Sequence, residues 1–177
     1  NPVMKIGRQV GENLELHTEL TREEIRERSA QALEQVGLSE PEELLERYPH
    51  ELSGGMRQRV MIAQAMIAAP RLLIADEPTT ALDVIVQAQI LKLLRRIHEE
   101  QNTSILFISH DLNVIREICD RVLVIYKGVI VEEGEVSQVL NHPQHEYTKR
   151  LVASIPQAAR DTESGKEILN ISHLDVF

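Results

Sequence analysis

The spacing of apolar residues changes along the 177-residue chain, and the change separates a helical first part from a mixed second part. Up to Leu52 the pattern is helical and densely charged. Thr21-Arg22-Glu23-Glu24 sets a threonine with a glutamate three positions on, the pairing that caps a helix start. Ile25, Ala32, Leu33 and Val36 carry the apolar stripe onward, and Gly37 is the expected C-cap. Residues 39–48 read as a second, shorter helix, with Pro41 in its first turn and Pro49 beyond its end. From Leu52 the character changes. Residues 56–68 form an apolar-rich helix stopped by Pro70. Residues 71–75 are a short apolar run of the kind found in strands covered on both faces. Residues 84–100 are amphipathic, with Val86, Ile90, Leu93, Leu94 and Ile97 on one face. Then come a second buried strand at 104–108, a helix at 112–119 and a third strand at 121–126. Lys127-Gly128 turns that strand into a hairpin partner at 129–133. Strand and helix in alternation predict an α/β fold with a parallel sheet. Beyond Pro156 the chain is polar, like a linker, and 168–177 reads as one more strand.

Composition narrows the function classes. The net charge of −9 opposes nucleic-acid binding, which clustered Lys and Arg drive by neutralising phosphates. Aromatic residues are only 3%, with no Trp, so stacking surface for single strands is scarce. No apolar run approaches the roughly 20 residues of a membrane helix, and the start shows no signal-peptide pattern. The single cysteine, Cys119, excludes an internal disulfide and reads as an inert, buried thiol.

Four segments carry chemistry. In Leu52-Ser53-Gly54-Gly55-Met56-Arg57-Gln58 two glycines let a phosphate approach the backbone. The helix that follows points its free N–H groups at the anion, and Ser53 adds a hydroxyl donor. The same turn could merely cap a helix. Leu72-Leu73-Ile74-Ala75-Asp76-Glu77-Pro78 is an apolar strand ending in two carboxylates, at the sheet edge where α/β proteins bind ligands. Asp76 suits Mg²⁺ held with nucleotide phosphates, and Glu77 suits a base that orients and deprotonates water; both could instead cap the next turn. His110 ends the next strand and could reach a γ-phosphate or be structural, with Asp111 capping the following helix. Thr79-Thr80-Ala81-Leu82-Asp83 joins the carboxylate strand to the long helix, where Asp83 is also a natural N-cap. His142 and His145, without further ligands nearby in sequence, make a weak metal site.

In this order and spacing the four segments resemble the ABC transporter ATPase family, over residues 1 to about 155. Leu52–Gln58 looks like its signature motif, Leu72–Glu77 its Walker B strand, Ala81-Leu82-Asp83 its D-loop and His110 its switch histidine. The resemblance implies part of a P-loop, RecA-like core with a mainly parallel sheet plus an α-helical subdomain. The implied divisions are a signature-bearing helical subdomain (1–55), the C-terminal half of the ATPase core (56–155), a linker (156–167) and the possible first strand of a following ABC domain (168–177). It implies ATP and Mg²⁺ as cofactors, and ATP sandwiched between two ATPase domains meeting head to tail. Ser53, Gly54, Gly55, Gln58 and Asp83 would then serve nucleotide binding, Asp76 the metal, and Glu77 and His110 hydrolysis. Further implied partners are transmembrane permease subunits and an extracytoplasmic solute-binding protein, with the ATPase peripheral on the cytoplasmic face of the inner membrane. The segment 1–52 would contact the membrane subunits. Asn1-Pro2, Met56, Thr79–Val84 and His142–Thr148 resemble the oligopeptide and dipeptide importer branch.

The sequence departs from the family in three features that it lacks. No G-x-x-x-x-G-K-[ST] occurs; the one Gly-Lys pair, Gly165-Lys166, is followed by Glu167 and has Arg160 where the first glycine belongs. The adenine-stacking aromatic and the Q-loop glutamine, which precede residue 1 in relatives, are also missing. The expectation is therefore a fragment of a tandem two-domain ATPase that hydrolyses little alone. Rival readings are a nucleic-acid repair or translation ATPase, opposed by the acidic balance, and a non-hydrolysing regulatory domain, opposed by Glu77 and His110.

Overall fold

A computed structural model describes residues 1–80 and 82–155. The expected linker and terminal strand of 156–177, and Ala81 of the D-loop segment, lie outside the described residues. The chain divides into two compact units, Asn1–Asp120 and a second beginning at Arg121.

The first unit opens with helix α1 (Ile6–His17), α2 (Arg22–Gln35) and the short α3 (Pro41–Glu46). Local sequence fixes the ends of α2. The Thr21 hydroxyl accepts from the Glu24 N–H at 3.3 Å, and the Glu24 carboxylate accepts from the Thr21 N–H at 2.7 Å, which is the expected capping box. At the other end Gly37 takes φ +77°. Its N–H bonds to the Glu34 carbonyl, and the Leu38 N–H to the Leu33 carbonyl, closing a Schellman motif. α4 (Gly54–Met66), β1 (Leu72–Asp76), α5 (Val84–Gln101), β2 (Ser104–Ile108) and α6 (Leu112–Ile118) follow, within two residues of the expected bounds.

One core joins these elements. Ile6 and Val10 of α1, Leu33 of α2, Ala63 of α4 and Ile90 and Leu94 of α5 lie in it with almost no exposure. Burying each of the larger side chains contributes roughly 1.5–3 kcal/mol. The apolar face expected on α5 is the face that packs, with Leu91 buried beside it and Val86 only partly so.

β1 and β2 pair in parallel, Leu72 opposite Ser104 through Asp76 opposite Ile108, as the α/β pattern requires. The expectation that both strands are covered on both faces is not met. Leu73 and Ala75 turn into the core, but Leu72 (53% exposed), Ile74 (61%), Leu106 (43%) and Ile108 (45%) share an open face. Alternation puts successive side chains on opposite faces, and among the described residues of this unit the helices cover only one of them.

In the second unit β3 (Arg121–Tyr126) and β4 (Val129–Glu135) form the expected antiparallel hairpin, two residues longer than its pattern predicts. Lys127 and Gly128 both take positive φ, which the tight hairpin turn requires. A register shift after Val124 marks a bulge. α7 (Val136–Asn141) and α8 (Glu146–Ala153) complete the unit. The Glu132 carboxylate accepts from the backbone N–H groups of Gln144 and His145, and His145 Nδ1 accepts from the Tyr147 N–H. These bonds account for His145 structurally: it caps α8.

Candidate functional site

The carboxyl end of β1 places two acids in succession. Asp76 is the last residue of the ladder, exposed and opposite Ile108. Glu77 carries the pairing one bond further, its N–H donating to the Ile108 carbonyl at 2.9 Å. It then turns the chain out with φ +45°, a conformation that a residue with a side chain adopts at a cost of about 1–3 kcal/mol and that clusters at functional sites. The turn closes with the Thr80 N–H on the Glu77 carbonyl at 3.1 Å.

The parallel register carries β2 to the same edge, and His110, two residues beyond its end, meets Glu77. His110 Nδ1 lies 2.8 Å from Glu77 Oε1. A carboxylate only accepts, so Nδ1 carries the proton and Nε2 is left to face a ligand. The Thr80 hydroxyl donates to the other oxygen, Oε2, at 2.8 Å. These bonds, that from His110 first, hold the Glu77 carboxyl below its ordinary range. The Glu77 partner in turn raises His110 above its ordinary value. Both side chains are well exposed, at 41% for Glu77 and 75% for His110. The arrangement offers an ionised carboxylate able to orient water, beside a histidine able to contact an anion.

The glycine-rich turn forms a second cluster. Ser53 is the N-cap of α4, its hydroxyl oxygen accepting from the Met56 N–H at 3.2 Å, so its own proton remains to be donated. Gly54 and Gly55 open the helix, where N–H groups lack intrahelical partners. A Cβ on Gly55 would sit 2.6 Å from Val86 Cγ1, whereas one on Gly54 would meet only Leu82 Cδ2 at 3.6 Å. Gly55 is thus explained by the packing of α4 on α5, and Gly54 by nothing inside the unit. Gln58 lies half-buried one turn on. Asp83 caps α5, its Oδ1 accepting from the Val86 N–H at 2.9 Å. Leu82 and Val86 therefore bring the start of α5 beside the glycine turn. No hydrogen bond among the described residues joins this cluster to the Glu77–His110 pair.

Sequence reasoning gave Thr80 no role of its own; its spacing of three from Glu77, closing a turn, is the signal that could have found it. Cys119 is half-buried rather than buried, and burial, then Asp120, pushes its thiol up, in keeping with an unreactive side chain. No group of three or more His, Cys, Asp or Glu among the described residues could hold a metal by itself. Asp76 stands exposed at the end of β1 as a carboxylate open to a ligand.

Residues 2–80 match the family model described as ABC transporter. Over 157 residues, 89% of the chain, the sequence is 57% identical to the peptidoglycan transport ATP-binding protein YejF of Agrobacterium fabrum. It is 52% identical over the same length to the glutathione import ATP-binding protein GsiA of Escherichia coli K12. The chain spans 29% and 25% of the length of these two relatives. Among solved structures it is similar to an ATP-binding cassette captured as a dimer in a post-hydrolysis state with ADP and Pi. The TM-score there is 0.66 at 30% identity, covering 77% of this chain and 58% of that one.

Proposed function

We propose that this chain belongs to the ABC transporter ATP-binding family, which its similarities support, and that these residues are part of an ATP-hydrolysing engine for an importer of peptides or similar small solutes. The observation that carries the reading is the Glu77–His110 pair at 2.8 Å, at the carboxyl end of a parallel strand pair, directly after Asp76. Glu77 is the base for the attacking water, His110 the contact to the γ-phosphate, and Asp76 the carboxylate for Mg²⁺ arriving with the nucleotide. Ser53, Gly54, Gly55 and Gln58 face nucleotide held by a second ATPase domain in a head-to-tail dimer, with Asp83 at the adjoining helix start. The names of the two relatives support import, and the dimeric ADP-bound neighbour supports the pairing. Permease subunits and an extracytoplasmic binding protein complete the proposed assembly, with the engine on the cytoplasmic face of the membrane. No helix among the described residues is long and apolar enough to cross it. The glycine-rich loop that cradles phosphates is not among these 177 residues, so the tests belong in the protein at its natural length.

The sandwich is tested by ATP-dependent dimerisation, followed by light scattering. Glu77→Gln keeps the nucleotide unhydrolysed and gives a stable dimer with ATP. Adding Gly54→Asp puts a carboxylate against the incoming phosphate and abolishes that dimer. A Glu77→Gln/Gly54→Asp protein that dimerises as well as the single variant would contradict the placement of the glycine turn.

A further inference from the structure

We propose that Thr80 is a positioning residue that holds the Glu77 carboxylate for water attack; the inference rests on the reading of Glu77 as the base. A carboxylate spins readily about its terminal bond, whose torsion is broad. One contact leaves that rotation free, whereas contacts to both oxygens fix the plane. Glu77 has both: His110 Nδ1 on Oε1 and the Thr80 hydroxyl on Oε2, each at 2.8 Å.

The two anchors differ in origin. His110 comes from beyond β2, 33 residues away in sequence. Thr80 belongs to the turn that Glu77 itself opens, with φ +45° at Glu77 and the Thr80 N–H on the Glu77 carbonyl at 3.1 Å. Threonine is stiff at χ1, and its neighbour Thr79 is buried at 8% exposure, which seats the turn. The hydroxyl is therefore delivered by a closed four-residue unit. When His110 turns to a phosphate, its hold on Oε1 weakens, and the Thr80 hydroxyl on Oε2 is the anchor within the chain that stays on the carboxylate. The left-handed backbone at Glu77 acquires a purpose in the same way, because it closes the turn that brings the hydroxyl round.

The test is single-turnover hydrolysis of γ-labelled ATP by the protein at its natural length. Thr80→Val and Thr80→Ala lower kcat on the order of tenfold with KM for ATP unchanged, since only the aim of the base is lost. Thr80→Ser, which keeps the hydroxyl, restores the rate to within about twofold. In a Glu77→Gln background Thr80→Val has no further effect, because Thr80 acts through Glu77. Melting temperatures of the variants separate a folding defect from a kinetic one. Wild-type kcat in both Thr80→Val and Thr80→Ala would overturn the proposal, as would an undiminished effect of Thr80→Val in the Glu77→Gln background. Wild-type hydrolysis in Glu77→Gln itself would instead overturn the base assignment beneath it.

Discussion

Adjacent glycines at the start of α4 sit in different surroundings, and single methyl groups separate them. At Gly55 an added Cβ would overlap Val86 Cγ1 at 2.6 Å, so Gly55→Ala is expected to destabilise the fold by about 1–3 kcal/mol. At Gly54 the same methyl makes ordinary contact with Leu82, and Gly54→Ala should stay within about 0.5 kcal/mol of wild type. Urea unfolding of the two variants checks the difference. If Gly54 is kept free for a phosphate, Gly54→Ala nonetheless weakens ATP-dependent dimerisation. The sequence showed two glycines before a helix and could not tell them apart, because the Val86 contact depends on how α5 lies against α4. The meeting of His110 with Glu77 was half legible. The matching strand ends suggested a common edge, but the bond itself needed the register, and the clamp by Thr80 needed the left-handed turn.

The helices show which features local sequence can dictate. The Thr21–Glu24 capping box and the Gly37 Schellman motif involve residues a few positions apart, and both form as their spacing predicts. The ion pairs that tie α1, α2 and α3 together were not readable, since they span 41 and 20 residues. Glu46 is their hub, 2.5 Å from Arg26 and 2.9 Å from Lys5, and these partners, Arg26 first, pull its carboxyl down to about 2. A lowered folded-state value contributes stability above the group's ordinary value of 4.5, lost as pH falls toward about 2. The gap in unfolding midpoint between wild type and Glu46→Gln should therefore be constant above about pH 5 and shrink below it. The gap is small throughout, because all three side chains are about half exposed. Chemical denaturation across that range reads it directly; a gap that widens on acidification would contradict the hub. Strand cover was likewise illegible. An unbroken apolar run shows that a strand can be covered on both faces, while cover depends on what else packs there.

For the molecule as a whole, the open apolar face of β1 and β2 has a measurable consequence. Among the described residues of the first unit, Leu72, Ile74, Leu106 and Ile108 are exposed together on one face, and contiguous apolar surface of this kind associates. The 177-residue chain should bind a hydrophobic dye and self-associate on concentration. Ile74→Thr with Leu106→Thr should reduce both without lowering the unfolding midpoint, as followed by fluorescence and light scattering. Unchanged dye binding in the double variant would place the sticky surface elsewhere. The same strands deliver Asp76, Glu77 and His110 to one edge, and on that edge the functional account stands. Its most direct test is Mg-dependent ATP hydrolysis by the protein at its natural length, comparing wild type with Glu77→Gln. The account predicts a loss on the order of 100-fold or more in turnover with nucleotide binding retained. Turnover in Glu77→Gln equal to wild type would contradict it.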